Sequence, residues 1–278
     1  MSDSAAGRPG APTSRGSMPG LEATSIPNLR DVGGYATRDG ASVRRGIVFR
    51  STDLSRVTDA DARVLSGLGL ATVVDLRTEP ERQAAPDRLP EGVRTLALDV
   101  LADREHGSIA AHMKELLTDA AFAREVLGDG RGAEYLRGSY RDFVLLPSAR
   151  AAYRTLLQTL LAGDADPVLV HCTTGKDRTG WASAVLLLAL GVDEDTVFED
   201  YLLTNERLLP VFAPVLEALT AKGVPRGDLE SVLGVRAEYL ATALAAAEET
   251  FGSFDRYLSD ALGLTDSGRA LLRQRLLE

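Results

Sequence analysis

Short runs of β-branched and aliphatic residues alternate along this chain with longer stretches whose apolar positions recur every three or four residues. The short runs are GIVFRS from Gly46, ATVVDLR from Ala71, VRTLALDV from Val93 and PVLVH from Pro167. Runs of that length and content predict strands, and those without polar alternation predict buried parallel ones. VTDADARVLSGLGL, Val57 to Leu70, reads as a helix. It opens with Thr58 three residues before Asp61, in the manner of a capping box with Asp in place of Glu, and closes on glycines. Ser108 to Leu161 has helical spacing almost throughout, interrupted by Gly128 to Gly132 and by Pro147. Trp181 to Gly191 predicts a buried core helix, and from Val192 onward the pattern is helical again. Its clearest pieces are Thr196 to Thr204, Leu229 to Thr250 and a last helix capped near Thr265. Strands that alternate with helices predict an α/β fold, a mostly parallel central sheet flanked by helices, here rich in helix.

Composition narrows the function classes. Hydrophobic residues make up 45% and charged residues 26%, which suits a dissolved globular chain with a sizeable core. The net charge of -9 repels nucleic acid and anionic lipid, so an anionic ligand needs a local positive field to draw it in. Residues 1–20, rich in Ser, Gly, Pro and Ala with no apolar segment, are expected to be a disordered tail rather than a Sec signal, and 21–278 a single domain. The apolar run Trp181 to Val192 is broken by Ser183 and Gly191 and falls short of the ~18 residues of a membrane span. A lone cysteine makes no internal disulfide and fits a reducing compartment, so the expected location is cytoplasmic, without stable membrane insertion.

That one cysteine stands in HCTTGKDRTG, His171 to Gly180, between the strand PVLVH and the core helix. Ligands in open α/β sheets sit outside the carboxyl ends of the strands, where this loop falls. Five residues, Thr173, Thr174, Gly175, Lys176 and Asp177, separate Cys172 from Arg178. A loop of that length can curl so that its amides converge on one tetrahedral anion, aided by the positive end of the following helix. Gly175 gives freedom at the tightest point, and Arg178 offers two phosphate oxygens a planar fork. The same field lowers a thiol's pKa from about 8.5 into the range of roughly 3.5–7.5, so Cys172 is expected to be ionised and placed to attack phosphorus. Thr179 is a candidate hydrogen-bond donor to the sulfur, and His171 a brace for the loop. A carboxylate must protonate the leaving oxygen and deprotonate the incoming water. Asp177 is the first candidate, with Asp75 and Asp99 open as alternatives.

HCTTGKDRTG resembles the phosphate-binding loop of the cysteine-dependent protein tyrosine phosphatases, in particular the bacterial tyrosine/serine phosphatase branch with its HCxxGKDRTG loop. NLRDVGGY from Asn28, FRS from Phe49, VVDLRTEPE from Val73, DYLLTN from Asp200 and the terminal FGSFDRYLSDALGL match the same branch in order. The resemblance implies a single phosphatase domain of the tyrosine phosphatase fold, with Cys172 as nucleophile, Arg178 as phosphate binder and no metal or other cofactor. It implies a phosphorylated protein or phosphoinositide substrate, phosphotyrosine first, with phosphoserine and phosphothreonine open. Some members carry a helical lid, for which Ser108 to Leu161 is the candidate. Lys176 adds positive charge to the loop, as in lipid-directed phosphatases. No WPD-type acid loop precedes Cys172; Asp142 has the spacing but lies in a helical pattern.

Bland readings compete at several of these positions. Cys172 alone would be a buried thiol, but Gly175, Arg178 and Thr179 in register favour chemistry. Asp177 equally suits a helix start, where a carboxylate favours the dipole. Asp75, Arg77 and Glu81 read as a salt-bridged brace behind the loop, and Asn28, Arg30 and Asp31 as scaffold. His106, His112 and His171 lack metal-ligand spacing. A Walker loop is excluded, because Asp177 replaces the Ser/Thr and Val170 the first glycine. The rival functions are a phosphate-binding module without turnover and a sulfurtransferase.

Overall fold

The structure is a computed structural model that describes residue 21 and residues 23–104, 113–163 and 166–278. The expected tail at 1–20 and both His106 and His112 lie outside the described residues. Five strands form one sheet in the order β1-β2-β5-β3-β4: β1 Arg30–Asp31, β2 Val48–Ser51, β3 Thr72–Asp75, β4 Arg94–Ala97 and β5 Val168–His171. All neighbours are parallel except β1 and β2. The fold is α/β, with a mostly parallel sheet flanked by helices.

Both faces of the central strands are buried, which explains their unbroken apolar runs. Phe49, Val73 and Leu169 turn to one face and pack with Leu65 of α1, Asp59–Gly67. Val48, Val74, Val168 and Val170 turn to the other, into the large core built by the later helices. At the centre of that core is α7, Arg178–Leu190, every residue of which is buried. It ends where Gly191 takes a left-handed conformation. Around it lie α5 Arg131–Leu145, α6 Pro147–Ala162, α8 Glu194–Ala221, α9 Arg226–Leu233, α10 Ala237–Phe251 and α12 Asp266–Leu276. The shorter α2 Glu79–Ala84, α3 Met113–Thr118, α4 Ala120–Leu127 and α11 Phe254–Arg256 complete the described α-helices, with a 3-10 turn at Gly128–Gly130 and a π-helical turn at Tyr257–Ala261.

Three details depart from the sequence pattern. Thr58 caps α1 through the amide of Asp61, but the Asp61 carboxylate turns to Ser25, so no reciprocal box forms. The reciprocal box is at α2, where Thr78 and Glu81 satisfy each other's amides. The stretch Leu229 to Thr250 is not one helix: residues 234–236 divide α9 from α10, and Asn205 of α8 bonds both backbone groups of Val235. A tertiary partner, absent from any local pattern, fixes that break. The Thr196 to Thr204 piece belongs to a longer helix, α8, that runs through Pro210 and Pro214.

Candidate active site

Register brings the loop into place. Ser51 of β2 and Asp75 of β3 both pair with His171, so residues 172–177 leave the sheet between two strand ends and enter α7 at Arg178. The amide of Asp53 bonds the Thr173 carbonyl at 3.0 Å, and that of Leu76 bonds the His171 carbonyl at 2.9 Å. Gly175 has φ +63, and a Cβ there would lie 2.0 Å from the Ser51 carbonyl oxygen. Only glycine permits both the conformation and the approach. The Gly175 carbonyl in turn accepts from Asn28 Nδ2 at 2.9 Å and Arg50 Nη2 at 2.8 Å.

Arg178 is held from outside the loop. Its Nη1 and Nη2 donate to the two carboxylate oxygens of Glu81 at 2.7 and 2.8 Å, with longer contacts to the Leu76 carbonyl and Thr173 Oγ1, each 3.3 Å. Thr173 also donates to Glu81, at 2.5 Å. Burial alone would depress the Arg178 pKa; the bonds to Glu81 and then the negative charge of Cys172 reverse this and hold it above the ordinary arginine value. Cys172 itself is only 1% exposed and belongs to the large buried core cluster. Thr179 is buried and its hydroxyl has no hydrogen-bond partner among the described residues.

Lys176 and Asp177 form a second pair. Lys176 is buried, its Nζ 3.0 Å from the Asp177 carboxylate and 3.1 Å from the Gly234 carbonyl. Tyr140 of α5 donates to Asp177 Oδ1 at 3.1 Å and touches the Tyr201 hydroxyl at 2.5 Å. Burial, then the neighbouring Tyr201 and Asp177, raises the Tyr140 pKa well above the ordinary phenol value, so it is a donor here. Asp177 makes no side-chain capping bond to α7, although it occupies the cap position.

The other carboxylate candidates are occupied elsewhere. Asp75 accepts from Arg77 Nε at 2.9 Å and Nη2 at 2.7 Å. Asp99 accepts from the amides of Glu79 and Leu101. Asp142 lies within α5 and pairs with Arg104 at 3.2 Å. Behind the loop, His171 Nδ1 lies 3.1 Å from the Cys172 carbonyl, and its Nε2 lies 3.1 Å from Asp87 Oδ2. Asp75, Asp87 and His171 cluster closely enough to suggest a cation site. Arg77 Nη2, 2.7 Å from one carboxylate and 2.8 Å from the other, supplies the positive charge there.

A pocket of about 170 Å³ opens over the loop, floored by Thr173, Thr174, Lys176, Asp177 and Arg178. Its wall is largely apolar: Leu136 and Phe143 from α5, Phe212 from α8, Val232 and Leu233 from α9. Arg104 closes one side, hydrogen-bonded to Ser139 and stacked on the Tyr135 ring at 4.8 Å. Among the three acid candidates, Asp177 lines this pocket, whereas neither Asp75 nor Asp99 does.

Glu81, expected in a salt-bridged brace, pairs with Arg178 itself. The sequence pattern singles out neither Asp87 nor Tyr140, and Arg50 and Asp200 enter it only within the matching segments FRS and DYLLTN. Arg50 had a signal, a charge inside a run that otherwise reads as buried strand. Tyr140 had none, because only the packing of α5 brings it to the loop.

Fold and loop together define an α/β protein built on the protein tyrosine phosphatase plan. Residues 21–278 match the model of the tyrosine phosphatase family, and the chain belongs to that family of phosphatases. The triple specificity protein phosphatase PtpB of Mycobacterium tuberculosis is 36% identical over 266 residues, 84% of this chain and 91% of that one. A Cupriavidus necator protein provisionally named as a tyrosine-protein phosphatase is 34% identical over 249 residues, 86% of this chain and 82% of its own. A Nostoc commune tyrosine-protein phosphatase is 27% identical over 82% of this chain and 73% of its own. The crystal structure of P. aeruginosa TpbA aligns with a TM-score of 0.30 and 19% identity, over 77% of this chain and 97% of that one, too loosely to bear on the site.

Proposed function

We propose that this phosphatase hydrolyses phosphomonoesters through a phosphocysteine, with phosphotyrosine as the preferred substrate and phosphoserine, phosphothreonine and phosphoinositides as the comparators. One observation carries the reading: Cys172 follows β5, Arg178 begins α7 in the grip of Glu81, and the loop between them floors a pocket. The thiolate attacks phosphorus in line, the P–O bond to the leaving group breaks, and Asp177 delivers its proton to the departing oxygen. Water then attacks the phosphocysteine, gives a proton to Asp177, and releases phosphate as the sulfur regains its electron pair. Thr173, Thr174, Gly175 and Lys176 shape the cradle around the equatorial oxygens, while Arg178 and the helix start stabilise their charge. Thr179, whose hydroxyl has no partner among the described residues, is the supporting donor for the sulfur as it leaves. The apolar wall of Leu136, Phe143 and Phe212 suits an aryl leaving group better than the short alkyl chain of phosphoserine.

The test is hydrolysis of p-nitrophenyl phosphate in the presence of a chelator, with initial rates on a phosphotyrosine peptide, a phosphoserine peptide and a phosphoinositide in parallel. The wild type turns over and Cys172→Ser does not. Turnover that survives Cys172→Ser removes the covalent step, and a higher kcat/KM on phosphoserine removes the proposed preference.

A further inference from the structure

A second cation stands under the loop, on the side away from the pocket. Arg50 of β2 is fully buried, its Nη2 on the Gly175 carbonyl at 2.8 Å and its Nη1 on Asp200 Oδ2 at 3.2 Å. Its Nε is buried and has no hydrogen-bond partner among the described residues. Asp200 is shared, since Arg30 Nε also donates to it, at 3.1 Å, and the Tyr35 hydroxyl does so at 2.8 Å. Two guanidiniums with one carboxylate leave a net positive charge sealed from solvent. Such an arrangement is unfavourable unless something nearby is negative.

A purely mechanical role does not explain it. The Gly175 carbonyl already receives a neutral donor, Asn28 Nδ2 at 2.9 Å, so a second tie required no charge and no orphaned Nε. What Arg50 adds is a positive charge beside the loop that holds Cys172. Burial and then the repulsion of Arg30 push Arg50 down to about 10, while Asp200 and the Cys172 charge push it back up. The Coulomb interaction is mutual: a thiolate that stabilises charged Arg50 is stabilised by it equally.

We propose that Arg50 is a positioning residue for the phosphatase reaction, a cation behind the loop that keeps Cys172 ionised while fixing the Gly175 carbonyl. The proposal rests on the reading of Cys172 as the nucleophile. The other titratable groups around the sulfur are Arg178, His171 and Tyr153, and those around Arg50 are Arg30, Asp200 and Tyr140.

The chain's only cysteine is Cys172, so alkylation by iodoacetamide reports on that thiol alone. Its rate is measured against pH for the wild type, Arg50→Gln, Arg50→Lys and Asp200→Asn, each checked for folding by thermal melting. Arg50→Gln keeps a donor for Gly175 but removes the charge, and its midpoint is expected to rise by about one pH unit, a tenfold loss of thiolate below the midpoint. Arg50→Lys keeps the charge and moves less than half as far. Asp200→Asn removes the neutralising carboxylate and moves the midpoint down. A folded Arg50→Gln with the wild-type midpoint overturns the proposal, as does Arg50→Lys shifting as far as Arg50→Gln. If neither neutral variant folds, Arg50→Lys and the wild type decide: a buried source predicts a wild-type midpoint unmoved between low and 1 M salt, and a rise of about a unit with salt assigns the field to exposed charges. Alkylation needs no turnover. An unshifted Arg50→Gln with an active, Cys172-dependent wild type therefore removes only the inference, and a shifted one with an inactive wild type removes only the function proposed above.

Discussion

Glu81 and Arg178 face each other as a two-pronged pair, both guanidinium nitrogens on both carboxylate oxygens at 2.7 and 2.8 Å. The pair joins α2 to the start of α7, and so fixes the plane of the guanidinium before any substrate arrives. Nε of Arg178, which makes no hydrogen bond among the described residues, and the two weaker contacts at 3.3 Å are what a phosphate can take over. Glu81→Ala is expected to lower kcat/KM on p-nitrophenyl phosphate by about 10- to 100-fold, equal to roughly 1.4–2.7 kcal/mol of transition-state stabilisation. Steady-state kinetics check this. An increase would mean that Glu81 competes for the fork instead of presenting it.

Asp177 should separate from its rivals by leaving group. Asp177→Asn is expected to lose on the order of 100-fold or more on phenyl phosphate and little on p-nitrophenyl phosphate, whose phenolate leaves without a proton. Tyr140→Phe, which removes the hydroxyl 3.1 Å from Oδ1, should show the same contrast more weakly. Asp75→Asn should instead lower thermal stability, because it breaks a buried pair with Arg77. Equal losses on both esters for Asp177→Asn would return the acid role to Asp75 or Asp99.

Gly175→Ala places a methyl 2.0 Å from the Ser51 carbonyl oxygen at a φ of +63. The left-handed backbone alone costs about 1–2 kcal/mol for a residue with a Cβ, and the clash adds to it. The expected results are a lower denaturation midpoint and loss of hydrolysis, since the loop must leave β2 to accommodate the methyl. Wild-type stability and activity would show that the loop is not held against β2.

Stability should fall with acid. Burial would raise the pKa of Glu81, but bonds and attraction to Arg178 hold it well below the usual carboxylate range. Asp200 is likewise lowered against its burial by Arg30 and Arg50, and Asp87 by His171 and Arg77. A carboxylate with a depressed folded pKa stabilises above its unfolded value of about 4 and loses that contribution as pH falls toward the folded value. Melting temperature is therefore expected to be flat near neutrality and to drop steeply below about pH 4. Glu81→Gln should flatten that drop, and calorimetry across pH reads both. A wild type that melts at one temperature down to pH 3 would contradict the depressed values.

The local pattern was enough for β2 to β5, α1, α7, the cap at Thr265 and the position of the loop, because each depends on neighbours a few residues away; the two-residue β1 carries no such pattern. The apolar residues of the central strands are buried, and glycine stands at most positions of positive φ, Gly175 and Gly191 among them, so those facts are written in order along the chain. Cys172, Thr173, Thr174, Gly175, Lys176, Asp177 and Arg178 are likewise contiguous, and their juxtaposition needed no folding to be seen.

What tertiary structure alone decided is which distant groups hold that loop. Glu81 lies 97 positions from the arginine it grips, Arg50 lies 125 from the carbonyl it bonds, and Asp200 lies 170 from Arg30. The division of Leu229 to Thr250 into two helices likewise depends on Asn205, a residue of another helix. Sequence determines the loop because its chemistry is local and backbone-driven; its electrostatic surroundings belong to the fold, because charges act through space and the chain records only order.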